Sequence, residues 1–268
     1  MSKRLRARFA QTKREGRAAF VAYVMAGFPD PDHTVPLLLG LEEGGADVIE
    51  LGIPFTDPLA DGATIQHANE VAVSAGITFA DCLEMVQEAR AQGLSAPLVL
   101  MGYENPLLAY GEKQAAADAA AAGADGFIVV DLPPDEASTF RQACEEQDVS
   151  FVPLIAPTTA EKRMKTITSA ANSFIYCVSV TGTTGQRAEL PPSIGELVTT
   201  IRRYTELPIA VGFGVSTRDQ VAEVGSVAEG VIVGSAIISA IEAGTVDGCV
   251  ERVRSYVERV TGRSVDKS

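Results

Sequence analysis

Eight times along the chain a short run rich in β-branched and aromatic residues gives way to an Ala-, Leu- and Glu-rich stretch with helical spacing. The runs are Phe20–Ala26, Asp47–Ile53, Leu98–Tyr103, Gly126–Leu132, Phe151–Ala156, Phe174–Val180, Pro208–Gly214 and Gly230–Ser235. Strands separated by helices pair in parallel, because each helix carries the chain back across the sheet before the next strand begins. Eight such units, with no linker or shift in composition between them, suit a closed barrel better than an open doubly wound sheet. The chain is therefore expected to be α/β, a single (β/α)8 TIM barrel over residues 1–268, with residues 1–17 as an N-terminal helical extension. At 268 residues and 46% hydrophobic it has the length for one large core, since such barrels run to about 250 residues.

In a barrel of this kind the active site gathers at the carboxyl ends of the strands. Those ends are polar and rich in glycine here. The longest loops follow Ile53 (Pro-Phe-Thr-Asp-Pro-Leu-Ala-Asp-Gly) and Val180 (Thr-Gly-Thr-Thr-Gly-Gln-Arg-Ala-Glu-Leu-Pro-Pro), and long loops on a catalytic face serve as lids or binding loops. Glu50 alternates with Ile49 and Leu51, which places a carboxylate among apolar neighbours on a strand. Desolvation would raise its pKa and poise it to exchange protons near neutrality; a buried Glu satisfied by an ion pair or backbone donors is the competing reading. Asp61 stands eleven positions later, on a loop long enough to fold back over the barrel mouth. It would share one cavity with Glu50 and stay ionised if better solvated. Alternatively, Asp61 and Asp57 are turn residues bonding their own backbone, the reading preferred for Asp57.

Three late strand ends are glycine-rich: Thr183-Thr184-Gly185, Gly212-Phe213-Gly214, and Gly234-Ser235 opening a helix. One such pair is usually just a tight turn. Three at strands six, seven and eight predict a phosphate seat built of backbone N–H groups and a helix N-terminus. Tyr23, Tyr103 and Tyr176 lie on strands one, three and six. Each alone is a core residue as readily as a ligand, but together they suit a flat aromatic substrate.

Other chemistry is disfavoured. A net charge of −13 lacks the field that gathers nucleic acid or anionic membrane. No run approaches the roughly 20 apolar residues that span a bilayer, and the basic start Lys3-Arg4-Leu5-Arg6 leads into no apolar signal core. His33 and His67 are isolated from other ligands, so no metal is expected. None of the six lysines falls on a barrel strand, which removes Schiff-base aldolase chemistry. Serine and cysteine nucleophiles lack a neighbouring His. Cys82, Cys144, Cys177 and Cys249 are scattered without metal spacing, which suits buried thiols in the cytoplasm.

The run Glu50-Leu-Gly-Ile-Pro-Phe-Thr-Asp-Pro-Leu-Ala-Asp61-Gly-Ala-Thr-Ile-Gln66 closely resembles the signature of the tryptophan synthase alpha-chain family. The resemblance continues through Phe20–Tyr23 with Gly27, Met101–Pro106, Val130–Pro133, Tyr176–Ser179 with Gly182 to Gly185, Gly212–Val215, and Gly234–Ile237, and so covers nearly the whole chain. It implies a lyase that splits indole-3-glycerol phosphate into indole and glyceraldehyde 3-phosphate, with Glu50 as general acid/base and Asp61 accepting the indole N–H. It further implies a phosphate held near Gly185, Gly214, Gly234 and Ser235, and an indole and glycerol pocket of Tyr23, Ile65, Tyr103, Ile128, Tyr176 and Phe213. Thr184 would belong to a loop closing over Asp61, in which Val180 replaces an Arg found in some members.

The resemblance also implies a complex of two alpha and two beta chains. No cofactor is expected in this chain, and pyridoxal phosphate is expected in the beta chain, which would contact Thr56–Gly62, Met101–Pro106 and the segment after Val130. Two sister barrels compete with this reading: indole-3-glycerol phosphate synthase, which needs a strand-end Lys absent here, and phosphoribosylanthranilate isomerase, whose Cys/Asp pairing is not evident. A catalytically silent barrel keeping only partner or ligand binding is the rival from another class.

Overall fold

The computed structural model describes residues 2–178 and 194–263. Among them lie β1 (Ala19–Met25), β2 (Val48–Gly52), β3 (Leu98–Gly102), β4 (Gly126–Val129), β5 (Ser150–Phe151), β6 (Leu154–Ile155), β7 (Ile175–Val178), β8 (Ile209–Gly212) and β9 (Gly230–Val233). All pair in parallel in the order β5-β4-β3-β2-β1-β9-β8-β7-β6. The two ends of that order, β5 and β6, are neighbours in the chain, parted only by Val152 and Pro153. Val152 N–H donates to Phe127 O at 2.9 Å and Tyr176 N–H donates to Pro153 O at 3.1 Å, so one segment bonds β4 on one side and β7 on the other. The sheet thus closes on itself as eight staves. The fifth stave, expected as the unbroken run Phe151–Ala156, is split into two short ladders where Pro153 has no N–H to give.

Around the barrel run α1 (Lys3–Arg14), α2 (Thr34–Glu43), α3 (Ala63–Ser74), α4 (Phe79–Ala91), α5 (Glu104–Tyr110), α6 (Glu112–Ala122), α7 (Ser138–Glu146), α8 (Glu161–Ala170), α9 (Ile194–Arg202), α10 (Arg218–Gly225), α11 (Ser235–Glu242) and α12 (Cys249–Thr261). Two start on sequence-encoded capping boxes, Thr78 with Asp81 and Thr217 with Gln220, each pair answering the other's backbone N–H.

Strand alternation sorts the apolar residues into two layers. Val21, Val48, Val99, Ile128, Ala210 and Ile232 point inward and pack together, while Phe20, Ile49, Leu51, Leu100, Phe127 and Val231 join the layer between sheet and helices. Both faces are buried, which is why the runs read as continuously apolar. Helix α1 inserts Leu5 and Phe9 into the interior layer, and the Phe9 ring lies 5.2 Å from that of Phe174.

Three acidic residues at the amino-terminal end of the barrel are matched. Asp47, Asp125 and Glu229 each immediately precede a strand and accept the N–H of a neighbouring one, from Phe20 (2.8 Å), Leu98 (3.0 Å) and Ile209 (2.9 Å). Each also meets an arginine: Arg17 on Asp47 at 2.6 Å, Arg90 on Asp125 at 2.9 Å, and Arg202 on Glu229. Burial pushes the Asp47 carboxyl up, but Arg17, Arg263 and the Phe20 N–H outweigh it, so the group sits below its ordinary range. Each carboxylate ties the start of its own strand to a neighbouring one.

Candidate active site

The carboxyl ends of the strands carry acids of the opposite kind. Glu50 is inward-facing on β2, fully buried, and neither carboxylate oxygen has a hydrogen-bond partner among the described residues. Burial alone pushes it up to about 8, so at neutral pH it is mostly protonated. An acid left unpaired inside a barrel costs stability, which is the mark of a group kept for chemistry. Strand register pairs Glu50 with Tyr23 on one side and Val99 on the other.

Asp61 sits on the loop between β2 and α3, half-buried. Burial pushes it up to about 6, opposed by the Tyr103 hydroxyl, which donates to its Oδ2 at 3.2 Å. The same hydroxyl accepts the Ala60 N–H at 3.0 Å. The side chain therefore bonds Tyr103 rather than closing a turn on its own backbone. At neutral pH Asp61 is mostly ionised, and the two acids are offset in the sense that lets one donate a proton while the other bears charge.

Beside Asp61 opens a cavity of about 580 Å³ including its mouth. Of the expected residues, Tyr23, Asp61, Ile65, Tyr176, Gly214, Gly234 and Ser235 line it. Tyr103 joins through Asp61. Glu50 does not face the open volume itself but stands beside Tyr23; the Tyr23 and Tyr176 hydroxyls are both pushed up by burial and by the charges of Asp61 and Glu50. Ile128 packs into the interior layer and Phe213 into the layer between sheet and helices; neither is on the cavity wall. Thr184, Gly185 and Val180 lie outside the described residues.

Three wall residues are not among the substrate contacts expected from the sequence: Met101, Gly212 and Ile232, although Gly212 belongs to a glycine-rich strand end and Met101 to the segment expected to meet the partner. Alternation could have found two of them, since Met101 is two residues beyond Val99 and Ile232 two before Gly234, on the inward face. Gly52 was missed for a different reason, because its role is the absence of a side chain. A Cβ there would collide with the Tyr23 hydroxyl and come within 2.8 Å of the ring.

The end of the cavity expected to hold a phosphate is lined by Gly214, Gly234 and Ser235. Helix α11 opens at Ser235 after Gly234, and both Ile237 and Ile238 N–H return to Gly234 O, at 2.8 and 3.0 Å. The Ser235 and Ala236 amides have no acceptor further back in the helix and lie at its positive end. Gly214 adopts φ +69°, a conformation that favours glycine. The histidines are elsewhere: His33 contacts Asp30 at 2.7 Å and His67 contacts Glu242 at 3.1 Å. Among the described residues no cluster of His, Cys, Asp and Glu could hold a metal, and no helix is long and apolar enough to cross a membrane.

Residues 9–263 match the family model described as tryptophan synthase alpha chain. The chain belongs to the tryptophan synthase alpha-chain family. It is 46% identical over 254 residues to the tryptophan synthase alpha chain of Roseiflexus castenholzii, covering 95% of this chain and 97% of that one. It is also 49% identical over 240 residues to the tryptophan synthase of Saccharomyces cerevisiae, 89% of this chain but 34% of the yeast protein, so it spans about a third of that longer polypeptide. The structure of Mycobacterium tuberculosis tryptophan synthase superposes with a TM-score of 0.91 at 35% identity, over 98% of each chain. As a member of this family, the protein is a carbon–carbon lyase of tryptophan biosynthesis that cleaves indole-3-glycerol phosphate.

Proposed function

We propose that Glu50 and Asp61 divide the cleavage of indole-3-glycerol phosphate between them, and the observation that carries this is a buried, unpartnered Glu50 beside a cavity that Asp61 lines. Glu50, protonated at rest, gives its proton to the indole carbon that bears the glycerol chain. Positive charge builds on the ring nitrogen, and the ionised Asp61 accepts the N–H and stabilises it. The Glu50 carboxylate then takes the proton of the chain hydroxyl nearest the ring. The carbon–carbon bond breaks, its electron pair returns through the ring to nitrogen, and indole and glyceraldehyde 3-phosphate separate. Glu50 ends protonated, as it began.

The phosphate rests on the amides at Gly214, Gly234 and Ser235. Tyr23, Ile65, Tyr103 and Tyr176 enclose the aromatic part. Ile128 and Phe213 support that wall from the packed layers behind it. Protonating the ring provides the electron sink, so the chain needs no cofactor of its own.

We further propose an assembly of two alpha and two beta chains, with pyridoxal phosphate in the beta chain. Leu59, on the Asp61 loop, is 83% exposed and Leu108 on α5 is 50% exposed, apolar side chains open to a partner. The Met101–Pro106 region expected to meet the partner is not a loop: Met101 and Gly102 end β3 and Glu104 opens α5, tied to the next segment by its N–H on Asp131 at 2.8 Å. Four buried free thiols suit the reducing cytoplasm. The test is indole release by the purified chain beside Glu50→Gln, with and without a beta chain. Activity in the wild type, faster with the partner and lost by a factor of about 10² or more in the variant, supports the assignment. A variant as active as the wild type would remove Glu50 from the mechanism.

A further inference from the structure

The loop that carries Asp61 is held by two amides on one face of α3. Asn69 is only 3% exposed and uses both ends of its carboxamide on a single residue: Phe55 N–H donates to Asn69 Oδ1 at 2.9 Å, and Asn69 Nδ2 donates to Phe55 O at 2.7 Å. One turn earlier, Gln66 Nε2 donates to Asp61 O at 2.9 Å. Positions three apart on a helix share a face, so both amides reach the same loop. The Phe55 ring in turn packs on Tyr103, with centroids 5.2 Å apart, and Tyr103 is the residue that bonds the Asp61 carboxylate. Only a side chain with a donor and an acceptor at carboxamide spacing satisfies the N–H and C=O of one residue together.

We propose that Asn69, assisted by Gln66, is a positioning residue for Asp61: α3 is the splint that fixes the loop from Phe55 to Asp61 so that its carboxylate meets the ring N–H. This rests on the reading of Asp61 given above. Asn69 is not on the cavity wall. Its effect passes through the Phe55 backbone to the Tyr103 ring and hydroxyl, while Gln66 holds the Asp61 main chain. Losing the clamp leaves the fold in place and lets the carboxylate drift, and a misplacement of about 1 Å costs on the order of a hundredfold in rate.

The test is a double-mutant cycle in the full chain, alone and with a beta chain, read as indole release under single-turnover conditions, with thermal melts to confirm folding. Asn69→Ala is expected to lower the rate about tenfold to a hundredfold with the substrate saturating. In an Asp61→Asn background the same change is expected to cost less than about twofold, because a residue acting through Asp61 has nothing left to position. An equal loss in both backgrounds, or no loss in the first, overturns the proposal. If Asn69→Ala does not fold, Asn69→Asp, which keeps the acceptor for Phe55 N–H and loses the donor, carries the same cycle. An Asp61→Asn chain as active as the wild type would bring down the reading of Asp61 and this inference with it; an impaired Asp61→Asn beside an unimpaired Asn69 variant brings down the inference alone.

Discussion

Replacing Tyr103 by Phe removes one oxygen and asks how Asp61 is kept ionised. The ring is retained and can still pack on Phe55, so what goes is the bond to Asp61 Oδ2 and the acceptor for Ala60 N–H. At 3.2 Å the bond is longer than the about 2.5–2.7 Å of the strongest hydroxyl–carboxylate bonds. We therefore assign it the lower end of the range for bonds to charged groups, about 1.5 kcal/mol, which corresponds to about one pKa unit. In the wild type burial lifts Asp61 to about 6 and Glu50 to about 8. A cycle that needs ionised Asp61 and protonated Glu50 gives a bell-shaped kcat/KM profile with limbs near those two values. Without the phenol the acid limb moves up by about one unit while the basic limb stays. At pH 6 the ionised fraction of Asp61 falls from about a half to about a tenth, a loss of about fivefold, whereas at pH 8 it changes by only about a tenth. Indole release followed from about pH 5 to about pH 9 reads this directly. A loss of equal size at every pH would refute the reasoning, since it would mean that Tyr103 only shapes the pocket.

Glu50→Gln should change stability as well as activity. The folded-state pKa of Glu50 is raised from 4.5 to about 8, so its contribution is whole below the unfolded value and is lost as the pH climbs toward the folded one. The variant should therefore gain nothing at pH 4 and up to about 4–5 kcal/mol relative to wild type by pH 9, an upper bound; denaturant melts at several pH values check this, and a pH-independent difference would contradict an unpaired buried acid. Gly52→Ala places a methyl within 2.8 Å of the Tyr23 ring and 3.1 Å of the Met25 sulfur, so Tyr23, a cavity-wall residue, must shift; KM should rise about tenfold with a cost of about 1–3 kcal/mol in stability, and an unchanged KM would take Tyr23 off the wall. Leu59→Ser removes an exposed side chain whose burial at an interface is worth about 1.5–3 kcal/mol; the beta-chain concentration needed for activation should rise about tenfold or more, and an unchanged titration would place the partner elsewhere.

Much of this was legible in the sequence because it is written in short-range patterns. The apolar runs marked all eight staves, since a strand buried on both faces has no polar positions to spare, and the alternation around Glu50 put a carboxylate where burial would raise its pKa. The late strand-end glycines marked one wall of the cavity, because Gly214 and Gly234 line it. Folding decided the rest. The split of the fifth stave at Pro153 follows from a ladder whose partners on β4 and β7 are distant in the chain. The burial of Ile128 and Phe213 behind the wall depends on how far up each stave the cavity begins. Asp61 and Tyr103 are 42 positions apart, and no local pattern says that the phenol reaches the acid. The contacts of Asn69 were equally hidden, because an amide on a helix is commonplace until the loop it meets is seen against it. Periodicity selects which faces are buried; which side chains then meet is set by the closure of the barrel, where groups remote in sequence are brought within hydrogen-bonding distance.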